Sequence, residues 1–170
     1  HPQCYNNDIL VFGYQRGQGE SIWDIKQHIG YVSTALQWEY RVSISLLNVI
    51  VSGFYDSIGI YQKPSSSEKA VARQWLAVLG MESRANEPFN KLSFGDQRML
   101  LIARAMVKHP ALLILDEPCL GLDDMNRSQV LAMIEMVCAG TETTVLYVNH
   151  HAQDKIAGIH RSFDLGNLLR

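Results

Sequence analysis

The chain has 170 residues, of which 47% are apolar and 19% charged, and its formal net charge is −2 at pH 7. This size and apolar content suffice for a compact domain with a hydrophobic core, and the charge balance does not favour a nucleic-acid partner. The sequence lacks the ~20 consecutive apolar residues of a membrane span, so any membrane contact is expected to run through a partner protein. Its three cysteines are widely spaced, which indicates a reducing, cytoplasmic setting.

Two short apolar runs lie in the first part of the chain. Ile9–Phe12 and Ile29–Val32 are bounded by Gly or Asn, which is typical of buried strands. The sequence opens at His1 without an initiator Met, so we expect it to begin inside a domain, and a processed mature N-terminus is the alternative. Residues 34–63 are irregular, and their β-branched residues fit either a helix or a strand.

A capping box predicts a helix that begins at Ser65. The side chains of Ser65 and Glu68 can each accept a hydrogen bond from the other residue's backbone N–H, and Gly80 supplies a stop. We expect one apolar face of this helix to pack on a neighbouring element, with Trp75 in the core. That face is predicted to contain Val71, Trp75, Val78 and Leu79.

The last part of the chain predicts a βαβ unit. A helix over Phe94–Lys108 precedes the apolar run Ala111–Leu115, whose lack of alternation indicates a strand buried on both faces of a parallel sheet. A second strand is predicted at Thr143–Val148, after a right-handed crossover. The helix between the two strands has a one-sided apolar pattern and a glycine stop, formed by Val130, Ile134, Val137 and Gly140.

Polar side chains follow both predicted strands. Asp116 and Glu117 end the first strand, and Asn149 and His150 end the second, where parallel sheets usually bind ligands. An aspartate there can hold Mg²⁺ through water, a glutamate can deprotonate an attacking water, and a histidine can bond a phosphoryl group. Each residue alone also fits a turn, a helix cap or a surface histidine.

A third candidate element, Leu92–Arg98, lies at the start of the predicted helix. Ser93 and Gly95 leave backbone N–H groups exposed at the positive end of the helix dipole, and such groups suit a terminal phosphate. The alternative is an ordinary N-cap, for which Ser93 is also well suited.

Together these segments resemble the motif series of ABC ATPases. Leu92–Arg98 resembles the signature motif, Leu115–Pro118 Walker B, Gly121–Asp123 the D-loop and Val148–His150 the switch region, in the same order and spacing. Residues 21–40 are similar to the molybdenum-import, photorepair-protein type of ABC ATPase, which carries two ABC domains in one polypeptide. The chain resembles the second of these domains, entered after its Walker A helix.

The resemblance implies a role for each candidate residue. Asp116 is expected to bind Mg²⁺, Glu117 to be the general base, and His150 to contact the γ-phosphate of ATP. A second ABC domain, in the same polypeptide or in a homodimer, is the expected partner. The residues expected to face that domain or its nucleotide are Ser93, Gly95 and Asp123.

The sequence also departs from the family pattern. Phe94 replaces the usual first signature glycine, and Asp96 replaces the usual glutamine, which places an acid towards a phosphate. Thr34 occupies the position where the Q-loop of the family has a glutamine, and Gln37 follows three residues later. Gln37 is therefore the candidate for contact with water, metal or nucleotide. The Walker A pattern Gly-x-x-x-x-Gly-Lys-Ser/Thr does not occur in the 170 residues.

We therefore predict an α/β, P-loop NTPase-like ABC ATPase domain with a mostly parallel sheet, lacking its Walker A portion. Residues 1–35 and 106–170 are expected to belong to the catalytic core, and residues 36–105 to a helical subdomain that carries the signature. The predicted function is ATP hydrolysis that powers molybdate-type anion import through a membrane permease, at the inner face of the cell membrane. The alternatives are a soluble, non-transport ABC ATPase in repair or translation, and a non-catalytic fragment.

Overall fold

The computed structural model describes residues 10–15, 21–41, 43–150, 154 and 156–164. Its central feature is a three-stranded parallel sheet with the order β3-β4-β5. These strands are β3 (Ile29–Ser33), β4 (Leu112–Asp116) and β5 (Thr144–Val148). The predicted βαβ unit is confirmed: β4 and β5 are paired in parallel, and a single long helix connects them in the sequence.

The α-helices of the described residues fill most of the chain between the strands. They are α1 (Ile22–Lys26), α2 (Thr34–Glu39), α3 (Leu46–Val51), α4 (Ser66–Val78), α5 (Phe94–Met106) and α6 (Asp124–Gly140). Short 3-10 turns occur at Ser52–Tyr55, Glu82–Arg84 and Phe89–Lys91. The irregular region after residue 34, which the sequence left open between helix and strand, is therefore helical where it has regular structure. None of these helices combines the length and the apolar composition that crossing a bilayer requires.

The first apolar run does not form the buried strand that the sequence predicted. Ile9 lies outside the described residues, and the next residues form a small antiparallel hairpin of β1 (Leu10–Val11) and β2 (Tyr14–Gln15). Phe12 and Gly13 both have positive φ, 52° and 81°, which turns the chain back after two residues. Leu10 is 68% exposed, so this part of the run is not a buried strand.

The burial of β4 is one-sided, which corrects the expectation of a strand buried on both faces. Leu113 and Leu115 have no exposed surface, whereas Leu112 and Ile114 on the other face are half-buried. The core therefore lies mainly on one side of the described sheet, where α5 packs: its side chains at Leu100, Leu101, Ile102 and Met106 are all buried.

The two predicted amphipathic helices, α4 and α6, are both present. The capping box of α4 is present, and Gly80 follows the helix with φ 67°. Ala72 and Leu76 are the fully buried residues of α4, and the predicted Val71, Trp75 and Leu79 are partly buried and pack against the core. Val78 is 55% exposed, so the predicted face is correct except at Val78. Helix α6 buries its predicted residues, but it runs through Gly140 and ends at a C-cap formed by Thr141.

Candidate functional site

The carboxyl ends of the three parallel strands lie level with one another. The register pairs Ser33 with Asp116, and Asp116 with Val148. The residues that follow these positions are therefore adjacent, as the sequence predicted for the ends of β4 and β5. The Glu117 N–H donates to the Val148 carbonyl at 2.8 Å, which fixes the chain just beyond β4 against the end of β5.

Asp116 is a half-buried carboxylate at the end of β4. The hydroxyl of Tyr31, from β3, donates to its Oδ2 at 3.4 Å. A carboxylate in this position is costly to desolvate unless cations or donors approach it. The next residue adds a second carboxylate, that of Glu117, which is also half-buried.

The backbone of Glu117 has an unusual conformation, with φ 50°. For a residue with a side chain this left-handed region costs about 1–3 kcal/mol and persists only where the surroundings hold it. The Glu117 carbonyl accepts hydrogen bonds from Arg98 at 3.0 Å and from the Thr34 hydroxyl at 3.1 Å. The Leu120 N–H is a further donor to it, at 3.1 Å. These contacts and the bond from its own N–H to β5 hold Glu117 in place.

The side chains of Glu117 and His150 are in direct contact. His150 Nε2 lies 3.0 Å from Glu117 Oε1, and the two side chains are 82% and 29% exposed, respectively. Beside them is a cavity of about 10 Å³, which is about the space that one water molecule needs. Its lining comprises Glu117, Cys119, Leu120, Tyr147, Asn149, His150 and Asp154. The structure thus brings the two predicted catalytic side chains together.

The signature and D-loop candidates meet at the N-termini of α5 and α6. Ser93 is the N-cap of α5, with its hydroxyl accepting from the Asp96 N–H at 3.1 Å. Asp123 is the N-cap of α6, and it accepts two hydrogen bonds from Asn126, both at 2.8 Å. Asn126 packs so closely on Gly95 that a Cβ there would lie 2.8 Å from the Asn126 Cβ. Only glycine therefore allows α5 and α6 to approach this closely.

Asp96, the acid that departs from the signature pattern, has a cationic neighbour. Arg84 Nη1 lies 3.4 Å from Asp96 Oδ2, and the same guanidinium pairs with Glu87 at 2.7 Å. Hydrogen bonding to Glu87 raises the pKa of Arg84 above its ordinary value. This pairing offsets part of the negative charge that Asp96 places at the start of α5.

Gln37 is buried and faces α5. Its Nε2 donates to the Phe94 carbonyl at 2.9 Å, and its Oε1 accepts from Arg98 Nε at 2.5 Å. Both ends of the side-chain amide are thus used in contacts with the signature helix. Its predicted contact with water, metal or nucleotide stays a prediction.

Arg98 is a residue whose importance the sequence reasoning missed. It is the last residue of the signature stretch, and its side chain is fully buried. Its hydrogen bonds connect α5 to Gln37, to Thr34 and to the residues after β4. Burial lowers the pKa of the Arg98 guanidinium from its ordinary value. A motif shows that an arginine follows Gln97, but only the fold shows that it points inward.

A second missed cluster surrounds Asp154. Its carboxylate, 2% exposed, pairs with Arg127 of α6 and accepts hydrogen bonds from Tyr147 at 2.6 Å and Asn149 at 3.1 Å. Burial raises the pKa of Asp154, but the bonds from Tyr147, Asn149 and Arg127 outweigh that effect and lower it. Burial and the bond to Asp154 raise the pKa of Tyr147. This cluster joins α6 to the end of β5.

The donor set at the end of β4 fits a magnesium ion. Among the described residues, no group of three or more His, Cys, Asp or Glu side chains is arranged as a complete protein-only metal site. Mg²⁺ does not need one, because it is usually held by one or two carboxylates together with waters and phosphate oxygens. Asp116 provides such a carboxylate, with Glu117 beside it.

Comparison with known proteins establishes the family. The family model described as ABC transporter matches residues 3–120, and the chain belongs to this family. A relative, the ABC transporter ATP-binding protein ModF of Escherichia coli strain K12, is 53% identical over 163 residues, which are 95% of this chain and 33% of ModF. The predicted family is therefore confirmed.

Two further comparisons extend this result. The molybdate import ATP-binding protein MolC of Haemophilus influenzae is 30% identical over 150 residues, 88% of this chain and 58% of MolC. The solved ATP-binding cassette MJ0796, a dimer in a post-hydrolysis state with ADP and Pi, has a TM-score of 0.62 at 20% identity, over 84% of this chain and 62% of that one. The predicted α/β fold of an ABC ATPase with a mostly parallel sheet is confirmed, and the absence of its Walker A portion stays a prediction. The chain spans a third of ModF and little more than half of MolC.

Proposed function

We propose that this chain carries the hydrolytic half-site of an ATP-hydrolysing ABC protein. The observation that carries the proposal is the contact between Glu117 and His150 beside Asp116, at the carboxyl edge of the sheet. Glu117 takes the proton of the attacking water, and His150 orients the carboxylate and contacts the γ-phosphate. Asp116 holds Mg²⁺, which neutralises phosphate charge when it is bound.

The second ABC domain completes the site in this proposal. Ser93 and Gly95 contact a nucleotide held by that domain, and Asp123 lies at the seam between the domains. Gln37 reports the nucleotide state through its contacts with α5 rather than through the nucleotide alone. The common location of Ser93, Gly95 and Asp123 at the N-termini of α5 and α6 supports this arrangement. The division into a catalytic core and a helical subdomain stays a prediction.

We further propose molybdate-type anion import as the process that hydrolysis powers, at the cytoplasmic face of a membrane. The similarity to MolC, a molybdate import ATP-binding protein, supports this assignment, and the similarity to ModF supports the broader role of an ABC transporter ATP-binding protein. A groove of about 450 Å³ between α2 and the start of α5 offers a place for a permease, and its lining includes Trp38, Phe94 and Arg41. Copurification of a membrane protein with the full-length protein supports transport, and purification without one supports the soluble alternative.

The metal assignment gives the first test of the hydrolytic function. Asp116→Asn in the full-length protein should abolish Mg²⁺-dependent ATP turnover at this site, because an amide binds Mg²⁺ much more weakly than a carboxylate. Asp56→Asn is the matched control, since Asp56 pairs with Lys108 at 2.6 Å near the other end of the sheet. Turnover of Asp116→Asn at the wild-type rate, measured by phosphate release, would contradict the proposal.

A further inference from the structure

We propose that Arg98 is a positioning residue that fixes the backbone of Glu117 in its left-handed conformation, an inference that rests on the proposed function. Arg98 has no exposed surface, and its partners in the described chain are neutral oxygens. Nη1 donates to the carbonyls of Glu117 at 3.0 Å and Pro118 at 2.6 Å. Nε and Nη2 donate to Gln37 Oε1 at 2.5 Å and Thr34 Oγ1 at 3.2 Å.

Burial of a charged guanidinium is costly, and packing alone does not require it. A buried charge is strongly unfavourable unless hydrogen bonds compensate for its lost hydration, and an apolar side chain would fill the same space without that penalty. The rigid fork of an arginine can reach several acceptors at fixed angles, which a lysine cannot do. The role of Arg98 is therefore to bind its hydrogen-bond acceptors. Two of these acceptors are the backbone carbonyls of Glu117 and Pro118.

These carbonyls set the direction of the Glu117 side chain. A residue with φ 50° returns to the preferred right-handed or extended regions unless its peptide groups are held. The N–H of Glu117 donates to β5, and the carbonyl of Glu117 accepts from both Arg98 and Thr34. Without the Arg98 and Thr34 donors, the Leu120 N–H is the remaining described partner of the Glu117 carbonyl. The peptide that follows Glu117 is then held less firmly, and the carboxylate loses its alignment with His150.

The aromatic neighbours of Arg98 support the same role. The Phe94 ring centroid lies 5.5 Å from the guanidinium carbon, and Trp38 packs on Phe94 with a centroid separation of 5.5 Å. Phe94 replaces the usual signature glycine, so this departure from the family pattern gives Arg98 a cation–π contact. The aromatic pair limits the rotation of the guanidinium that bonds to the Glu117 carbonyl.

The test compares two buried arginines of α5 in the full-length protein. Arg98→Lys keeps the charge and removes the fork, and Arg104→Lys makes the same change at an 8% exposed arginine whose partners are Ser52 and Ser57. A displacement of about 1 Å can cost on the order of 100-fold in rate, so Arg98→Lys should lower kcat about 10-fold or more and change KM for ATP less than about 2-fold. Arg104→Lys should leave kcat within about 2-fold.

Thr34 offers a second route to the same carbonyl. Thr34→Val removes one donor to the Glu117 carbonyl and should lower kcat about 3-fold, whereas Thr34→Ser keeps the hydroxyl and should behave as wild type. In a Glu117→Gln background, Arg98→Lys should have no further effect, because residues that act through one group are not additive. The two Thr34 variants, Thr34→Val and Thr34→Ser, test the inference even if Arg98→Lys does not fold.

Amide hydrogen exchange separates this inference from the proposed function. Arg98→Lys should speed exchange at the Glu117 and Leu120 amides, which bond to Val148 and to the Glu117 carbonyl, while Arg104→Lys leaves them unchanged. Unchanged exchange in Arg98→Lys, or wild-type kcat in both Arg98→Lys and Thr34→Val, would overturn the positioning role. Absence of turnover in the wild type would contradict the proposed function, and the exchange result would still decide the positioning role.

Discussion

Asp154 shows how a single buried carboxylate organises the neighbourhood of the site. Tyr147 and Asn149 donate to it from β5 and the residue after β5, and Arg127 pairs with it from α6. A carboxylate that accepts several hydrogen bonds stays ionised to a lower pH than it does in an unfolded chain. The Asp154 carboxylate therefore ties α6, which begins at the D-loop candidate, to the strand that leads to His150.

We expect Asp154→Asn to lower the free energy of unfolding by about 2 kcal/mol at pH 7, because it leaves Arg127 without its counter-charge. The folded pKa of Asp154 is lowered relative to an unfolded value of about 4. Its stabilisation is therefore complete above about pH 4 and is lost as the pH falls through the folded pKa.

Urea unfolding from pH 7 to pH 2.5, with the exposed Glu142→Gln as control, measures this effect. The difference between wild type and Asp154→Asn should shrink in the acid range. A difference that stays constant down to pH 2.5 would show that the ionised carboxylate is not what stabilises this region.

The site residues were predictable to the extent that a linear motif carries their chemistry. Asp116, Glu117 and His150 follow apolar strands, and the level ends of parallel strands bring them together. Arg98 and Asp154 were not predictable, because their roles depend on burial against segments distant in the sequence. No local pattern distinguishes a buried arginine on a helix from an exposed one.

At the scale of elements, the predictions succeeded where a local signal determined the structure. The capping box fixed the start of α4, and the apolar periodicity fixed the buried face of α6. They failed where tertiary contacts determined the structure: Leu10 and Val11 of the first apolar run pair in a small hairpin, and Val78 of the predicted α4 face is exposed. The sequence also contained no indication of close approach between elements. Gly53, for example, lies in the 3-10 turn after α3 and packs closely against Arg104 of α5.

Gly53 should be intolerant of a side chain. A Cβ at this position would overlap the Arg104 carbonyl oxygen and lie 2.8 Å from Val107 Cγ1, and backbone has little room to yield. We expect Gly53→Ala to destabilise the protein by about 1–3 kcal/mol, measured by urea unfolding. Gly140→Ala is the control: it meets no heavy atom of the described residues within 4 Å and should be neutral or stabilising by up to about 1 kcal/mol. Equal stability of the two variants would contradict the close contact.

The described sheet has β5 at its edge, where it is paired with β4 on one side. Leu146 is 48% exposed and Val148 is 36% exposed, so the edge is apolar as well as unpaired in the described part of the chain. Apolar edge strands without charge or proline recruit other strands. The aggregation behaviour of the chain should therefore depend on β5.

We expect the 170-residue chain alone to self-associate at micromolar concentration, and Leu146→Lys to reduce this association, because a charge on the strand opposes pairing. Light scattering over a dilution series measures the effect. Val78→Lys is the control, since Val78 is similarly exposed, at 55%, but lies on α4. A stable monomer that is indifferent to Leu146→Lys would show that the edge of β5 is covered in another way.

The proposed function depends above all on Glu117 as the general base of an ABC-type ATPase site. The most direct measurement is ATP binding and phosphate release by the full-length Glu117→Gln variant, with the site of the other ABC domain disabled and the exposed Glu142→Gln as control. We expect unchanged ATP binding and a turnover reduced about 100-fold or more, the usual contribution of a general base. Turnover of Glu117→Gln at a rate near that of Glu142→Gln would contradict it.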